Sequence, residues 1–335
     1  MSRSTLKSTR DYLLGGDLSL LAQIVPFAED SHVPQSLRKR KSSMSGPSPG
    51  MQFRTLLSVE SPLQIVGAIN ALCAMQAAKA GFKALYLSGA GVANASHGLP
   101  DLGVTSLNDV VEDASRITSA SSLPLLVDID TGWGTELTIQ RAIRELERAG
   151  VAAVHMEDQV AAKRCGHRPG KELVEAKEMQ SRVEAAVAGR KDSAFVIMAR
   201  TDAVSVEGVD AAIQRARAYV EAGADMIFAE AVETLDDFKR FSNELGVPIL
   251  ANLTEFGRTP TFSLLELRNA GVQMALYPLT AFRAMNAAAR SAYDTIRRDG
   301  SQQAILDKLQ TRADLYEVLN YLSAEERVNQ QRAKS

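Results

Sequence analysis

Cysteine and histidine are scarce: the 335-residue chain has two cysteines and four histidines. That supply excludes a disulfide scaffold and a Cys/His zinc cluster, and it fits a reducing, cytoplasmic setting. An excess of one charge is also missing. Lys and Arg total 38 against 40 Asp and Glu, a net charge of −2. Nothing global therefore draws the chain to nucleic acid or to an anionic membrane. No apolar run approaches the ~20 residues that span a bilayer. What remains is ordinary for a soluble globular protein with a large core: 45% hydrophobic and 23% charged residues.

The first fifty residues read differently from the rest. Leu18 to Phe27 is apolar but flanked by Asp17, Glu29 and Asp30. Ser31 to Gly50 is rich in Ser, Pro, Gly and charge, and includes Arg38-Lys39-Arg40-Lys41. No charged segment leads directly into a long apolar core with small residues after it, so a signal peptide is not expected. The basic run has the chemistry to attract phosphate or nucleic acid; a solvated tail is the expected role. The expected organisation is an N-terminal extension over 1–50, with Met44 or Met51 as candidate natural starts, and one catalytic domain over 51–335.

From Leu63 a regular alternation begins. Short β-rich runs occur at Leu63–Ile69, Ala84–Leu87, Leu123–Ile129, Ala152–Met156, Phe195–Ala199, Met226–Ala229, Ile249–Leu253 and Met274–Tyr277. Segments rich in Ala, Leu, Glu and Arg separate them, such as Leu137–Ala149, Ala211–Ala222 and Leu235–Leu245. Eight such βα units predict a closed (β/α)8 barrel. A doubly wound open sheet is the alternative, but no G-x-G-x-x-G follows the first run to support dinucleotide binding. Ala281–Arg298 and Gln302–Leu322 predict two further long helices, of the kind that pack on a neighbouring subunit.

Polar residues gather where these runs end. Ser88-Gly89-Ala90-Gly91 follows the second, with Asp101 beyond it. Asp128 and Asp130 end the third, Glu157 and Asp158 the fourth, Arg200 and Asp202 the fifth. Glu230 ends the sixth, Asn252 and Thr254 the seventh, and Arg283 lies past the eighth. In a barrel these converge on one mouth, where such enzymes keep their chemistry. Asp128-Ile129-Asp130 alternates along a strand, so its carboxylates share a face. Either one caps a helix or pairs with an arginine, or both hold a divalent cation such as Mg2+, which takes one or two carboxylates plus water and substrate. Glu157 and Glu230 at matching heights favour the metal. The Ser88–Gly91 turn is an ordinary strand-to-helix connection or a nest of N–H groups for a carboxylate or phosphate. Arg200, ending an apolar strand, needs a partner; with Arg283 it is suited to clamping carboxylates.

Lys163-Arg164-Cys165-Gly166-His167 is the sharpest local signal. Cationic neighbours favour the thiolate, so Cys165 is expected to exchange a proton near neutral pH and is a candidate for acid–base work. His167 is either a loop hydrogen-bonder or a tuner of that thiol. Cys73, within Ala71-Leu72-Cys73-Ala74-Met75, is expected in the core. A divalent metal, two arginines and a proton-donating thiol match carbon–carbon cleavage of a polycarboxylate. The departing carbanion beside a carboxylate needs donors for its enediolate form and an acid to protonate it.

At these residues the chain resembles the isocitrate lyase / phosphoenolpyruvate mutase superfamily, and within it the 2-methylisocitrate lyases, from about Ser48 to Ala324. The likeness rests on Leu87-Ser88-Gly89, Leu99-Pro100-Asp101-Leu102-Gly103, Asp128-Ile129-Asp130, the Glu157-Asp158-Gln159 to His167 run, Met198-Ala199-Arg200-Thr201-Asp202, Asn252 to Gly257 and Tyr277-Pro278. The resemblance implies a homotetrameric barrel with exchanged C-terminal helices, binding Mg2+ (Mn2+ as a substitute). Its substrate would be a small tricarboxylate, (2S,3R)-2-methylisocitrate, cleaved to pyruvate and succinate in the methylcitrate route of propionate catabolism. It further implies metal ligands Asp128 and Asp130, with Glu157 acting through water. Ser88, Gly89 and Ala90 would bind the pyruvate-derived part. Cys165, Gly166, Arg200, Glu230, Asn252, Leu253, Thr254, Arg283 and Arg312 would complete the substrate site, with Tyr86 a partner in proton transfer. Phe228, Leu276 and Pro278 look like the apolar set around the extra methyl. One methyl is worth only about 1 kcal/mol of burial, so shape must supply most of the discrimination. A sister lyase or hydrolase for oxaloacetate or substituted malates, and a catalytically silent dicarboxylate-binding barrel, are the alternatives.

Overall fold

The computed structural model describes residues 46–333. The apolar stretch at 18–27, Arg38–Lys41 and Met44 lie outside the described residues. Helix α1 (Pro49–Val59) starts where Ser48 accepts the Met51 N–H and a proline takes the first turn. Then follow β1 (Leu63–Gly67), α2 (Ala71–Lys79) and β2 (Ala84–Leu87). A helical turn Gly89–Gly91 runs on as a wider turn over Val92–Ser96. Next come α3 (Leu107–Ala120), β3 (Leu125–Asp128), α4 (Glu136–Arg148), β4 (Ala153–Glu157), α5 (Ala176–Gly189) and β5 (Val196–Thr201). The ring is completed by α6 (Val209–Glu221), β6 (Met226–Ala229), α7 (Leu235–Leu245), β7 (Ile249–Asn252), α8 (Leu264–Asn269) and β8 (Met274–Tyr277). All eight strands are parallel, and β1 pairs with both β2 and β8, closing the barrel.

Two cores follow from strand alternation. Leu85, Val127, Val154, Ile197 and Ile227 face outward into the layer shared with the helices. Ile65, Leu126, Met198, Phe228, Leu250 and Leu276 face inward and, with Phe53 of α1, fill the barrel. The helices meet the outer layer on one stripe each. In α4 the buried residues Ile139, Ala142, Ile143 and Leu146 recur at i, i+3, i+4 and i+7. Fully burying each large one stabilises by ~2 kcal/mol.

The C-terminal region departs from expectation. Ala281–Arg298 is helical as α9 (Thr280–Asp299), but Gln302–Leu322 is not one helix. A tight turn at Gln303–Lys308 is followed by α10 (Arg312–Val318) and α11 (Tyr321–Arg332). Thr311 caps α10 by accepting the Asp314 N–H, and Asn320 takes a left-handed φ of 50° between the two helices. Within this chain α10 packs on α2, where Lys79 pairs with Glu317 at 2.8 Å.

Candidate active site

The inward parity of the interior core carries past the ends of the strands. Leu126 points inward, so Asp128 does too; Ala153 sets His155 and Glu157; Met198 sets Arg200; Phe228 sets Glu230; Leu250 sets Asn252. All of these polar groups are buried. Ser88, Ala90, Asp128, Arg200, Glu230 and Asn252 line one cavity of about 90 Å³ at this end of the barrel. Tyr86, Cys165, Gly166, His167, Thr254, Pro278 and Arg283 also line it. Arg283 additionally faces a broader open groove of about 800 Å³ beside Glu255 and Phe256.

The two aspartates meet by a different route from simple alternation. Asp128 ends β3, while Asp130 lies beyond it with a left-handed φ of 47°. The Asp130 N–H donates to Asp128 Oδ1 at 3.0 Å, tying the pair together. Of the Ser88–Gly91 donors, Gly89 N–H is taken by the protein itself, donating to Asp128 Oδ2 at 3.1 Å. A Cβ on Gly89 would stand 3.1 Å from Asp130 Oδ1 and 3.2 Å from Asp128 Oδ2, so both carboxylates converge beside this glycine. Ala90 sits in the right-handed helical turn and carries no strain.

Burial, reinforced by Asp128, pushes the Asp130 carboxyl up to about 6. Burial would raise Asp128 as well, but His155, Lys163 and Arg200 hold it below the usual carboxylate range. Lys163 Nζ stands 2.8 Å from Asp130 Oδ1 and also pairs with Asp101. Glu157 Oε1 accepts no hydrogen bond although it is buried, and the one donor at Asp130 Oδ1 is the Lys163 ammonium. A buried hard oxygen without a donor, beside the converging carboxylates of Asp128 and Asp130, fits a divalent cation there. Among the described residues no three Asp, Glu, His or Cys side chains form a ready cage. Mg2+ keeps most of its positions for water and substrate, so one or two carboxylates can hold it.

Arg200 is the hub of the opposite wall. Its Nε donates to Asp202 Oδ2 at 2.9 Å, and Nη2 stands 3.1 Å from Glu230 Oε2. Nη1 lies 3.4 Å from Glu157 Oε2, and the guanidinium covers the Phe228 ring at 5.1 Å. Burial opposes its charge, but Asp202, Glu157 and Glu230 hold its pKa well above the ordinary value. Burial would also raise Glu230, yet Arg200 and His167 keep that carboxyl far below the carboxylate range. Glu230 thus serves the arginine and His167, rather than matching Glu157 beside the aspartates.

Four ties hold the Cys165 loop over the cavity. Lys163 reaches Asp130 and Asp101, so its first partners are carboxylates rather than the thiol. Gln159 brackets Arg164, donating to its carbonyl and accepting its N–H, both at 2.9 Å. Lys171 donates to the Gly166 carbonyl at 2.6 Å. His167 Nε2 lies 3.1 Å from Glu230 Oε1, and its Nδ1 accepts the Arg258 N–H at 3.0 Å. Both ring nitrogens of His167 thus have partners within the site, and the ring lines the cavity beside Cys165. Cys73 is buried, with its Sγ 3.6 Å from Met285 Sδ.

Some expected residues stand elsewhere. Leu253 is buried in the outer layer, because it follows Asn252 by one residue and so faces the helices. Phe228 and Leu276 lie inside the barrel, beneath the cavity rather than on its lining. Arg312 is exposed at the start of α10, away from the cavity of its own chain. Two groups gain importance from the fold. His155 Nε2 lies 2.9 Å from the Tyr86 hydroxyl and 3.7 Å from Asp128 Oδ1. Burial pushes His155 down to about 4, so it is neutral near pH 7. Burial, then Asp128, pushes the Tyr86 hydroxyl well above its usual range, which makes Tyr86 a donor there. Lys163 is the second, buried between carboxylates. The two-residue step from His155 to Glu157 was the signal for the first; Lys163 had none beyond its charge beside the cysteine.

Comparison with known proteins agrees with this arrangement. The phosphoenolpyruvate phosphomutase family matches residues 53–297. A 2-methylisocitrate lyase of Shewanella oneidensis is 59% identical over 283 residues, covering 84% of this chain and 97% of that protein. The solved structure of a 2,3-dimethylmalate lyase superimposes with a TM-score of 0.79 at 36% identity, covering 85% of this chain and 96% of the other. A phosphonopyruvate hydrolase solved with oxalate and Mg2+ gives 0.73 at 29% identity, covering 86% and 99%. With this barrel, this polar mouth and these relatives, the chain belongs to the phosphoenolpyruvate mutase / isocitrate lyase superfamily.

Proposed function

We propose that the chain is a Mg2+-dependent carbon–carbon lyase cleaving (2S,3R)-2-methylisocitrate to pyruvate and succinate, the step that completes the methylcitrate route of propionate catabolism. The identity to a 2-methylisocitrate lyase, sustained over 84% of the chain, supports the lyase chemistry. The observation that carries the reading is the placement of Cys165, Arg200 and Asp128 around one cavity, with Asp130 converging on Asp128 beside Gly89. Asp128 and Asp130, with Glu157 through water, would hold Mg2+ or Mn2+, which would supply Lewis-acid stabilisation of developing negative charge.

The protein's own groups do the rest. Arg200 and Arg283 bind substrate carboxylates, and Ser88, Gly89 and Ala90 orient the pyruvate-forming end. Gly166, Glu230, Asn252, Leu253 (through its backbone) and Thr254 frame the other end. As the hydroxyl proton passes to water, its oxygen becomes a carbonyl and the adjacent C–C bond breaks. The bonding pair stays on the succinate-forming carbon as an enediolate. The Cys165 thiol delivers the proton that completes succinate, while Tyr86, held in its protonated form, donates a hydrogen bond. Pro278, backed by Phe228 and Leu276, shapes the space for the methyl.

The protein works as a homotetramer in the cytoplasm, with the C-terminal helices exchanged between subunits and Arg312 completing a site in that assembly. In a single chain these helices expose Tyr293, Ile296, Leu306, Leu309, Leu319 and Leu322, an apolar set that a neighbouring subunit would cover. Among the described residues no helix is long and apolar enough to cross a membrane. The partner is a small-molecule tricarboxylate, not nucleic acid.

The test is pyruvate release from (2S,3R)-2-methylisocitrate, run beside glyoxylate release from isocitrate. The expected result is rapid, EDTA-sensitive pyruvate formation far exceeding the isocitrate reaction. The 36% identity to a 2,3-dimethylmalate lyase favours a second reading, a lyase or hydrolase for substituted malates or oxaloacetate. Turnover of those substrates alone would establish it. Tight dicarboxylate binding without turnover of any of them would leave a silent binding barrel.

A further inference from the structure

Lys171 belongs to none of the strand-end motifs, yet it is only 7% exposed. Its Nζ donates to the Gly166 carbonyl at 2.6 Å and to Asp202 Oδ1 at 2.9 Å. Asp202 also accepts from Arg200 Nε at 2.9 Å and Nη2 at 3.2 Å. One carboxylate therefore carries both the guanidinium of the cavity wall and the ammonium that grips the loop one residue past the thiol. A buried ammonium is retained only where its donors are satisfied; here the acceptors are a loop carbonyl and the arginine's own counter-ion. Gln159 fixes the loop upstream of Cys165, at Arg164. Lys171 fixes it downstream.

We propose that Lys171 is a positioning residue: it holds the Gly166 carbonyl, and with it the Cys165 thiol, in register with Arg200. The role of Cys165 as the acid is taken from the lyase reaction proposed above. A displacement of about 1 Å at the reacting groups costs on the order of a hundredfold in rate. The lysine thereby links carboxylate binding at Arg200 to the placement of the proton donor.

Alkylation of Cys165 by iodoacetamide, followed by peptide mapping, reads loop placement without any substrate. Buried Cys73 is the internal reference. Lys171→Met removes both bonds and is expected to speed Cys165 alkylation about tenfold by freeing the loop locally. The same variant should lose ~30-fold or more in kcat with KM within about threefold. Lys171→Arg, which keeps the charge and donors, should recover most of both. Should Lys171→Met fail to fold, Lys171→Gln takes its place. Its amide still satisfies Asp202 but is too short to reach both acceptors, so Cys165 should again alkylate several-fold faster, by about the same local freeing. Alkylation of Cys165 within about twofold of wild type in a folded variant would overturn the proposal. So would Cys73 alkylation rising in parallel, which would mark general loosening. A wrong substrate assignment would leave the alkylation result standing, so the two proposals fail separately.

Discussion

A methyl group on Gly166 would stand 2.3 Å from Nη2 of Arg200. It would also meet Glu230 Cγ at 2.7 Å and Cδ at 2.9 Å. Arg200 cannot retreat without leaving Asp202, Glu157 or Glu230. Gly166→Ala is therefore expected to push the loop away and lower kcat/KM about a hundredfold. The melting midpoint should stay within a few degrees. Steady-state rates beside a thermal melt check this; a near-wild-type rate would mean the loop works in another position.

Cys165→Ser keeps the shape and a donor but replaces the thiol with a far weaker acid. The variant should fold normally and lose most cleavage activity. An enzyme still near the wild-type rate would remove Cys165 from the mechanism.

Glu157 Oε1, buried and without a hydrogen bond beside the converging Asp128 and Asp130 carboxylates, predicts a cation response in the absence of substrate. Mg2+ added to EDTA-treated protein should raise the melting midpoint. At a hundredfold excess over Kd the stabilisation is about 2.7 kcal/mol. Asp128→Asn and Asp130→Asn should each remove most of the rise. A midpoint unmoved by Mg2+ or Mn2+ in the wild type would exclude the metal site.

His155 predicts the sign of one pH effect. Its folded pKa of about 4, set first by burial, lies below the unfolded value of about 6.5. As pH falls through that window, the unfolded chain takes up a proton that the native chain refuses. Stability is therefore lost on acidification, by about 2 kcal/mol between pH 7 and 5. Asp130, raised to about 6, contributes with the opposite sign. The decisive quantity is thus the difference between wild type and His155→Asn in EDTA. Denaturant midpoints should fall more steeply for the wild type, and equal slopes would show that His155 titrates normally.

The eight strands were legible because parallel barrel strands are buried on both faces and read as short apolar runs between helices. The same alternation marked Asp128, Glu157, Arg200, Glu230 and Asn252 at the strand ends. It also explains Leu253, which shares a motif with Asn252 but faces the other way. His155 hid inside a run that reads as core. Lys171 carried no local sign, because its acceptors lie 5 and 31 residues away and meet only in the folded chain. The break between α10 and α11 depends on a left-handed Asn320, which composition alone does not reveal.

The cavity draws on side chains from Tyr86 to Arg283, while the ring closes only where β8 pairs with β1. No fragment lacking the last strand can bring both ends of that set together. Turnover is consequently a reporter of chain completeness: a nascent or clipped barrel would be catalytically dark until its final parallel seam forms, and recovery of activity on refolding would time that long-range step.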